Sequence, residues 1–354
     1  MSALGLHVLV PGPLDQRTGG YIYDARMVQG LRTRGWHVEV HSLGGDFPLP
    51  NDDACRNLVR ALTGIPDGSR VILDGLTLGV CPDVLSKHRE RLSLVALIHH
   101  PLSDETGLSA DTRDLLMRHE SQSLSAVAGV VVTSRFTADT LKRFGVSSGR
   151  VRVVTPGVDK ASFAEGPASD APPELLVVGT VIPRKGHDVL VRALASLRQY
   201  RWHCVCAGSL VRDRSYAERV VRSIENSELV GRVEFVGECD SAQLDSFYRQ
   251  ASVFVLPSHY EGYGMVLTEA LARGLPIVST TGGAIPDTVP RETGLLVPPG
   301  NAGALSAAIR TFINGSEGTT MRTRCVEAAR RYATTMQTWE SAVNQMENAI
   351  TELT

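Results

Sequence analysis

At 354 residues the chain is longer than one hydrophobic core usually serves, so length alone argues for two domains. Its 43% apolar content fits a globular protein, and 36 basic against 38 acidic residues, 18 of each sign up to Glu165, give no sign of a nucleic-acid or other polyanion partner. No apolar run approaches the roughly 18 residues of a membrane span, and the six cysteines show no C-x-x-C pair.

With no basic-then-apolar leader before the first strand, a cytoplasmic location is expected, and the cysteines are expected to be buried thiols of a reducing compartment. Leu6 to Pro11 reads as a short strand, followed by a loop from Gly12 to Gly20 and a helix from Tyr21 to Arg34. A dinucleotide enzyme would carry G-x-G-x-x-G at this turn; Arg17-Thr18-Gly19-Gly20 stands there instead. Strands at His37–Leu43, Arg70–Asp74 and Leu94–Ile98 then alternate with helices at Asp53–Leu62 and Pro82–Arg91. Such alternation predicts a parallel sheet covered on both faces. The last of these strands runs into His99-His100-Pro101-Leu102, at the edge where doubly wound sheets bind ligands. A helix at 112–126 containing Glu120, a strand from Gly129, a helix capped by Ser134 and the strand Val151–Val154 complete the half.

The small, polar, proline-rich run from Ala164 to Pro173 has linker chemistry. The expected division is therefore 1–165, 166–335 and a terminal helix at 336–354 that Trp339 anchors back to the first domain. The second half opens with Leu175–Gly179, Thr180 to Gly186 and a helix from Asp188 to Leu197. Strands at Trp202–Ala207 and Val233–Gly237 follow, with helices at Tyr216–Ile224 and from Leu244. Then comes the buried-strand run Val253–Pro257 and the stretch Ser258-His259-Tyr260-Glu261-Gly262-Tyr263-Gly264, which turns into an alanine-rich helix, Met265 to Arg273. Gly262 and Gly264 thus lie where free N–H groups and the helix dipole favour an anion. Glu269 stands about 7–8 Å along the axis, at about 1.5 Å per residue. Two acids flanking an anion site suit a molecule with hydroxyls at both ends and a diphosphate between them, as in a nucleotide sugar.

Glu261 and Glu269, with seven residues between them and glycines at 262 and 264, resemble the signature of the family 4 retaining glycosyltransferases (glycosyl transferases group 1). The resemblance implies the GT-B fold, an α/β architecture of two Rossmann-like, doubly wound domains facing across a cleft. It further implies a nucleotide diphosphate sugar, of UDP- or GDP-hexose type, as donor. Glu261 is then the contact to the donor sugar's hydroxyls and Glu269 to the ribose, with Gly262, Tyr263 and Gly264 beside them. Gly19 and Gly20 would lie by the diphosphate and acceptor, and His99 would be the functional histidine after its strand. Relatives show Gly-Arg and then Lys-Gly gripping the diphosphate; here Lys185-Gly186 matches, Thr180 takes the arginine's place, and Arg184 is expected to supply the missing cation. Thr293 to Gly300 resembles the family's last strand and loop, and the role of Asp287 is open.

No D-x-D or His/Cys cluster with ligand spacing is evident, so no metal and no cofactor are expected. The expected activity is metal-independent hexosyl transfer with front-face retention, because no acid in the sequence stands beside His99. Small-molecule or glycan acceptors are expected, without strong membrane binding. A nucleotide-sugar epimerase of the same fold, or a catalytically silent paralogue, is the alternative.

Overall fold

The computed structural model describes residues 5–49 and 51–354. They form two compact units, one of 1–157 with 337–354 and one of 158–336. The second unit thus opens at Val158, not at 166. The start of the proline-rich run and the residue before it are already held there: the N–H groups of Ala164 and Glu165 donate to the carbonyls of Arg273 and Arg249, and Arg330 lies 4.9 Å over the Phe163 ring.

The first unit contains six strands, β1 (Gly5–Pro11), β2 (His37–Leu43), β3 (Arg70–Asp74), β4 (Ser93–Ile98), β5 (Gly129–Val132) and β6 (Val151–Val153), in the spatial order β2-β1-β3-β4-β5-β6. Every pairing is parallel. The second contains β7 (Glu174–Val178), β8 (His203–Ala207), β9 (Val233–Gly237), β10 (Val253–Leu256), β11 (Ile277–Thr280) and β12 (Gly294–Val297), ordered β12-β11-β10-β7-β8-β9 and again parallel. The strand order reverses between β1 and β3 in one sheet and between β7 and β10 in the other. Ligands of open α/β sheets bind outside the carboxyl ends of the strands at such reversals.

The apolar runs form these strands because both faces are covered. In β10, Val253 and Val255 pack into the core on one side of the sheet, Phe254 and Leu256 into the core on the other. Ser134 caps the helix Arg135–Thr140 by accepting from the Thr137 N–H, as its position predicts. One helix starts earlier than periodicity suggested: the first runs Gly19–Thr33, so Gly19 and Gly20 form its opening turn rather than the end of a loop. The carboxyl-terminal helix Trp339–Leu353 packs within the first unit, where Trp339 lies 6.2 Å from the Tyr23 ring and Glu347 accepts from Arg34 and Trp36.

The cysteines depart from expectation. Cys55 and Cys81 are disulfide-bonded, with Cα atoms 5.6 Å apart, and only Cys204, Cys206, Cys239 and Cys325 are free. The cysteines are 26 positions apart, and the folding of the chain between them brings the pair together, which spacing alone does not reveal. The cysteines therefore give no support to a reducing compartment. Among the described residues no helix is long and apolar enough to cross a membrane.

Candidate active site

In the second unit the site grows from the neighbouring strands β7 and β10, paired in parallel register so that their following loops emerge side by side. Gly186 joins the loops. Its φ of +68° is one that residues with a Cβ seldom adopt, and a Cβ there would fall 2.2 Å from the Pro257 carbonyl oxygen. Two residues away in each loop, the His259 N–H donates to the Arg184 carbonyl at 2.7 Å.

This tie delivers Lys185 and Arg184 to Glu261. Lys185 Nζ donates to Glu261 Oε1 at 2.6 Å, Arg184 Nη1 approaches Oε2 at 3.3 Å, and Ser258 Oγ donates to Oε1 at 2.6 Å. Arg184 also donates to the Tyr260 carbonyl at 3.0 Å. The carboxylate is buried, 5% exposed. Burial alone would push its pKa up, but Lys185 and then Arg184, with the hydrogen bonds, outweigh it and hold the group at about 2. Glu261 is therefore a fixed anion between two cations, and the trio carries one net positive charge.

Gly264 caps the helix Met265–Ala272, with Gly262 and Tyr263 in the turn before it. Thr288 donates to the Tyr263 carbonyl at 2.8 Å, which fixes that turn from the following loop. Glu269, half-buried on the helix, accepts from the Tyr248 hydroxyl at 3.0 Å. Thr180 stands half-buried after β7, and Asp287 is exposed. Sequence reasoning gave no role to Ser258 or Thr288, whose small hydroxyls gain meaning only from the loops packed on them.

In the first unit, His99 leaves the end of β4 and its ring lies against Gly20: a Cβ at Gly20 would stand 3.1 Å from His99 Cδ2. Gly19 has open space around it and is exposed. The expectation that no acid stands beside His99 is overturned. Nε2 of His99 is 3.0 Å from Asp24 Oδ1 and 3.8 Å from Asp74 Oδ2, and both acids are buried, at 2% and 4% exposure. Asp24 comes from the first helix and Asp74 from the end of β3, so 75 and 25 residues of chain separate them from the histidine.

The buried face of that helix carries Tyr23, Asp24, Met27, Val28 and Leu31. An acid where the helical period calls for an apolar residue was the available signal for Asp24. Asp74 has a comparable one, as the single acid closing the apolar run Val71-Ile72-Leu73.

Burial lowers the pKa of His99, yet the charge and hydrogen bond of Asp24, then the charge of Asp74, raise it overall. Asp74 is pushed up to about 7, first by burial and then by Asp24. Two acids thus confront one imidazole, and Asp24 holds Nε2, so Nδ1 is the nitrogen available to a ligand. The loop beyond is held from below: Glu120 accepts from the N–H groups of Leu102 at 2.6 Å and Ser103 at 3.1 Å, and burial raises it to about 7.

The fold also brings together two groups of side chains that are distant in the sequence and able to ligate a metal. Donor atoms of Asp24, Asp74 and His99, and separately of His7, Glu39 and His41, lie within 4.8 Å of one another.

Two parallel doubly wound units, each with its functional groups at a strand-order reversal, define a GT-B-type protein. Residues 158–332 match the family described as glycosyl transferases group 1 and residues 22–162 match glycosyltransferase family 4; the chain belongs to the family 4, group 1 glycosyltransferases. A D-inositol 3-phosphate glycosyltransferase from Kineococcus radiotolerans is 28% identical over 65% of this chain, and the chain spans 65% of that relative's length, less than two thirds. A sucrose-phosphate synthase from Thermosynechococcus elongatus has a similar structure, with a TM-score of 0.80, 23% identity and 97% of each chain covered. The Anabaena protein HepE in complex with UDP and glucose gives 0.75 and 16%, covering 98% of this chain and 99% of its own.

Proposed function

We propose that the protein is a retaining glycosyltransferase that moves a hexose from a nucleotide diphosphate sugar to a hydroxyl acceptor. The observation that carries this reading is Glu261, held ionised between Lys185 and Arg184 beside the amino end of the helix Met265–Ala272. The trio's single surplus positive charge suits the arrival of a diphosphate. Lys185, Arg184 and the helix's free N–H groups then neutralise the charge that grows on the departing phosphate, a case of preorganised electrostatic stabilisation. Glu261 receives sugar hydroxyls, and Glu269 the ribose. That a related fold binds UDP and glucose in HepE supports a donor of this class.

In the transfer step the acceptor oxygen bonds to the anomeric carbon on the face from which the phosphate leaves. The bond from that carbon to the phosphate oxygen breaks, and the acceptor's proton passes to that oxygen. Because Asp24 takes the Nε2 hydrogen bond of His99 and raises its pKa, the ring favours the imidazolium, which donates from Nδ1 and takes no proton. His99 thus positions a sugar hydroxyl. The acid beside it strengthens the neutral ring as a base, so the front-face reading rests on the ring being held as the cation.

Thermal shifts with UDP-, GDP-, ADP- and TDP-sugars test the donor: a ligand at a hundred times its Kd stabilises by about 2.7 kcal/mol. The product's anomeric configuration, read by NMR, tests retention, and a β product from an α donor overturns it. Turnover that persists in EDTA is expected, as is little sedimentation with anionic liposomes at physiological salt.

A further inference from the structure

The middle of β1 and of β2 holds a cluster that the transfer chemistry does not use. β2 is the edge strand of its sheet and pairs with β1 alone, in a register that sets His7 opposite Glu39 and Leu9 opposite His41. Side chains alternate along a strand, so His7, Glu39 and His41 share the sheet face on which Leu9 and Leu43 are buried in the core. Towards the strand starts that face becomes polar. The side chains of His7, His41 and Glu39 are 15%, 21% and 54% exposed, a half-sheltered floor of two imidazoles with a carboxylate open to solvent.

The donor atoms are close enough to share one ion. His7 Nδ1 and His41 Nε2 are hydrogen-bonded at 3.0 Å, and Glu39 reaches His7 Nδ1 with Oε2 at 3.5 Å and His41 Nε2 with Oε1 at 3.6 Å. Ligands about 2.0–2.1 Å from a tetrahedral zinc ion stand about 3.3–3.4 Å from one another. One donor atom from each residue lies within 4.8 Å of the others, so an ion that takes the place of the hydrogen-bonding proton needs only small side-chain adjustments to gather all three. Imidazole nitrogens with one carboxylate select zinc-like ions over magnesium or calcium.

We propose that His7, Glu39 and His41 form a binding site for one zinc-class divalent cation, with water in the fourth position. His7 lies four residues before Pro11, about 13 Å from the carboxyl end of β1 at about 3.3 Å per residue. An ion there clamps an edge strand to its neighbour and protects the edge from foreign pairing; it does not enter the transfer reaction.

The test uses the full chain freed of any oligohistidine tag, stripped with EDTA and titrated with Zn²⁺ by calorimetry and with Co²⁺ by visible absorption. One equivalent of either ion should bind, with no response to Mg²⁺, and the melting midpoint should rise. Glu39→Gln at an exposed position and His41→Asn at a half-buried one should keep the far-UV circular dichroism. Each should weaken Zn²⁺ binding at least about tenfold and lose the midpoint shift. The proposal is overturned if the intact chain takes up no stoichiometric Zn²⁺. It is equally overturned if both variants bind as tightly as the parent, or if binding instead disappears in His99→Asn, which would put the ion at Asp24, Asp74 and His99.

Discussion

The two units place opposite charge arithmetic at equivalent points of their sheets. At the reversal between β7 and β10, one carboxylate meets two cations and its pKa falls to about 2. At the reversal between β1 and β3, two buried carboxylates meet one imidazole, and Asp74 rises to about 7. The first arrangement is fixed in charge across the physiological range and suits an anionic ligand. The second changes protonation near neutrality and suits a hydroxyl-bearing one. Topology supplies the location in both cases, and the local ratio of acids to bases decides what the location can do.

The largest effect is expected where the charge is fixed. Glu261→Gln should lower turnover about a thousandfold and, by leaving two half-buried cations without their anion, destabilise the second unit by about 3–5 kcal/mol. Urea unfolding alongside steady-state rates would measure both, and unchanged stability would mean that the trio is not a buried ion cluster. The stability Glu261 contributes is present above its unfolded pKa, near 4.5, and is lost only as pH falls toward about 2, so it should be intact at pH 5.

A smaller but pH-dependent effect is expected in the first unit. His99→Asn should cut turnover about a hundredfold. Asp24→Asn should do so by shifting the alkaline limb of the pH–rate profile to lower pH, because His99 loses the partner that raises its pKa. A profile unmoved by Asp24→Asn would separate Asp24 from the histidine's role.

Asp74→Asn probes the cost of the unequal ratio. A carboxyl raised to about 7 favours folding below its unfolded pKa, near 3.8, and that contribution is lost as pH rises toward 7. The variant should therefore melt higher than the parent at pH 8, by about 1–3 kcal/mol, and nearly alike at pH 4. The mildest change concerns the diphosphate grip: Arg184→Ala should raise the donor KM about tenfold, whereas Thr180→Arg should be tolerated or lower it. Unchanged kinetics in Arg184→Ala would remove Arg184 from the site.

The second unit was the more legible because its functional residues lie in two short stretches, 180–186 and 258–269, each directly following a strand that periodicity reveals. The candidate residues Glu261, Gly262, Gly264 and Glu269 all lie within thirteen residues of the end of β10. The strands themselves were readable almost to the residue: Arg70–Asp74 forms as expected from its continuous apolar run, and His37–Leu43 and Val233–Gly237 from apolar residues interspersed with polar ones. Helix ends were less so. The start at Gly19 depends on backbone hydrogen bonds such as Ile22 N–H to the Thr18 carbonyl, and the Thr18 side chain makes no capping bond that would flag the position.

The amino-acid sequence by itself determined the class of sheet, the family and the stretch around Glu261, because those features rest on periodicity and short-range spacing that any copy of the chain displays before it folds. Only the tertiary structure decided that Asp24 and Asp74 close on His99, that Cys55 meets Cys81, and that His7 faces Glu39 and His41 across a strand pair. Those contacts join residues separated by tens of positions. Which acid meets which base is then fixed by strand order and register, which spacing along the chain does not record.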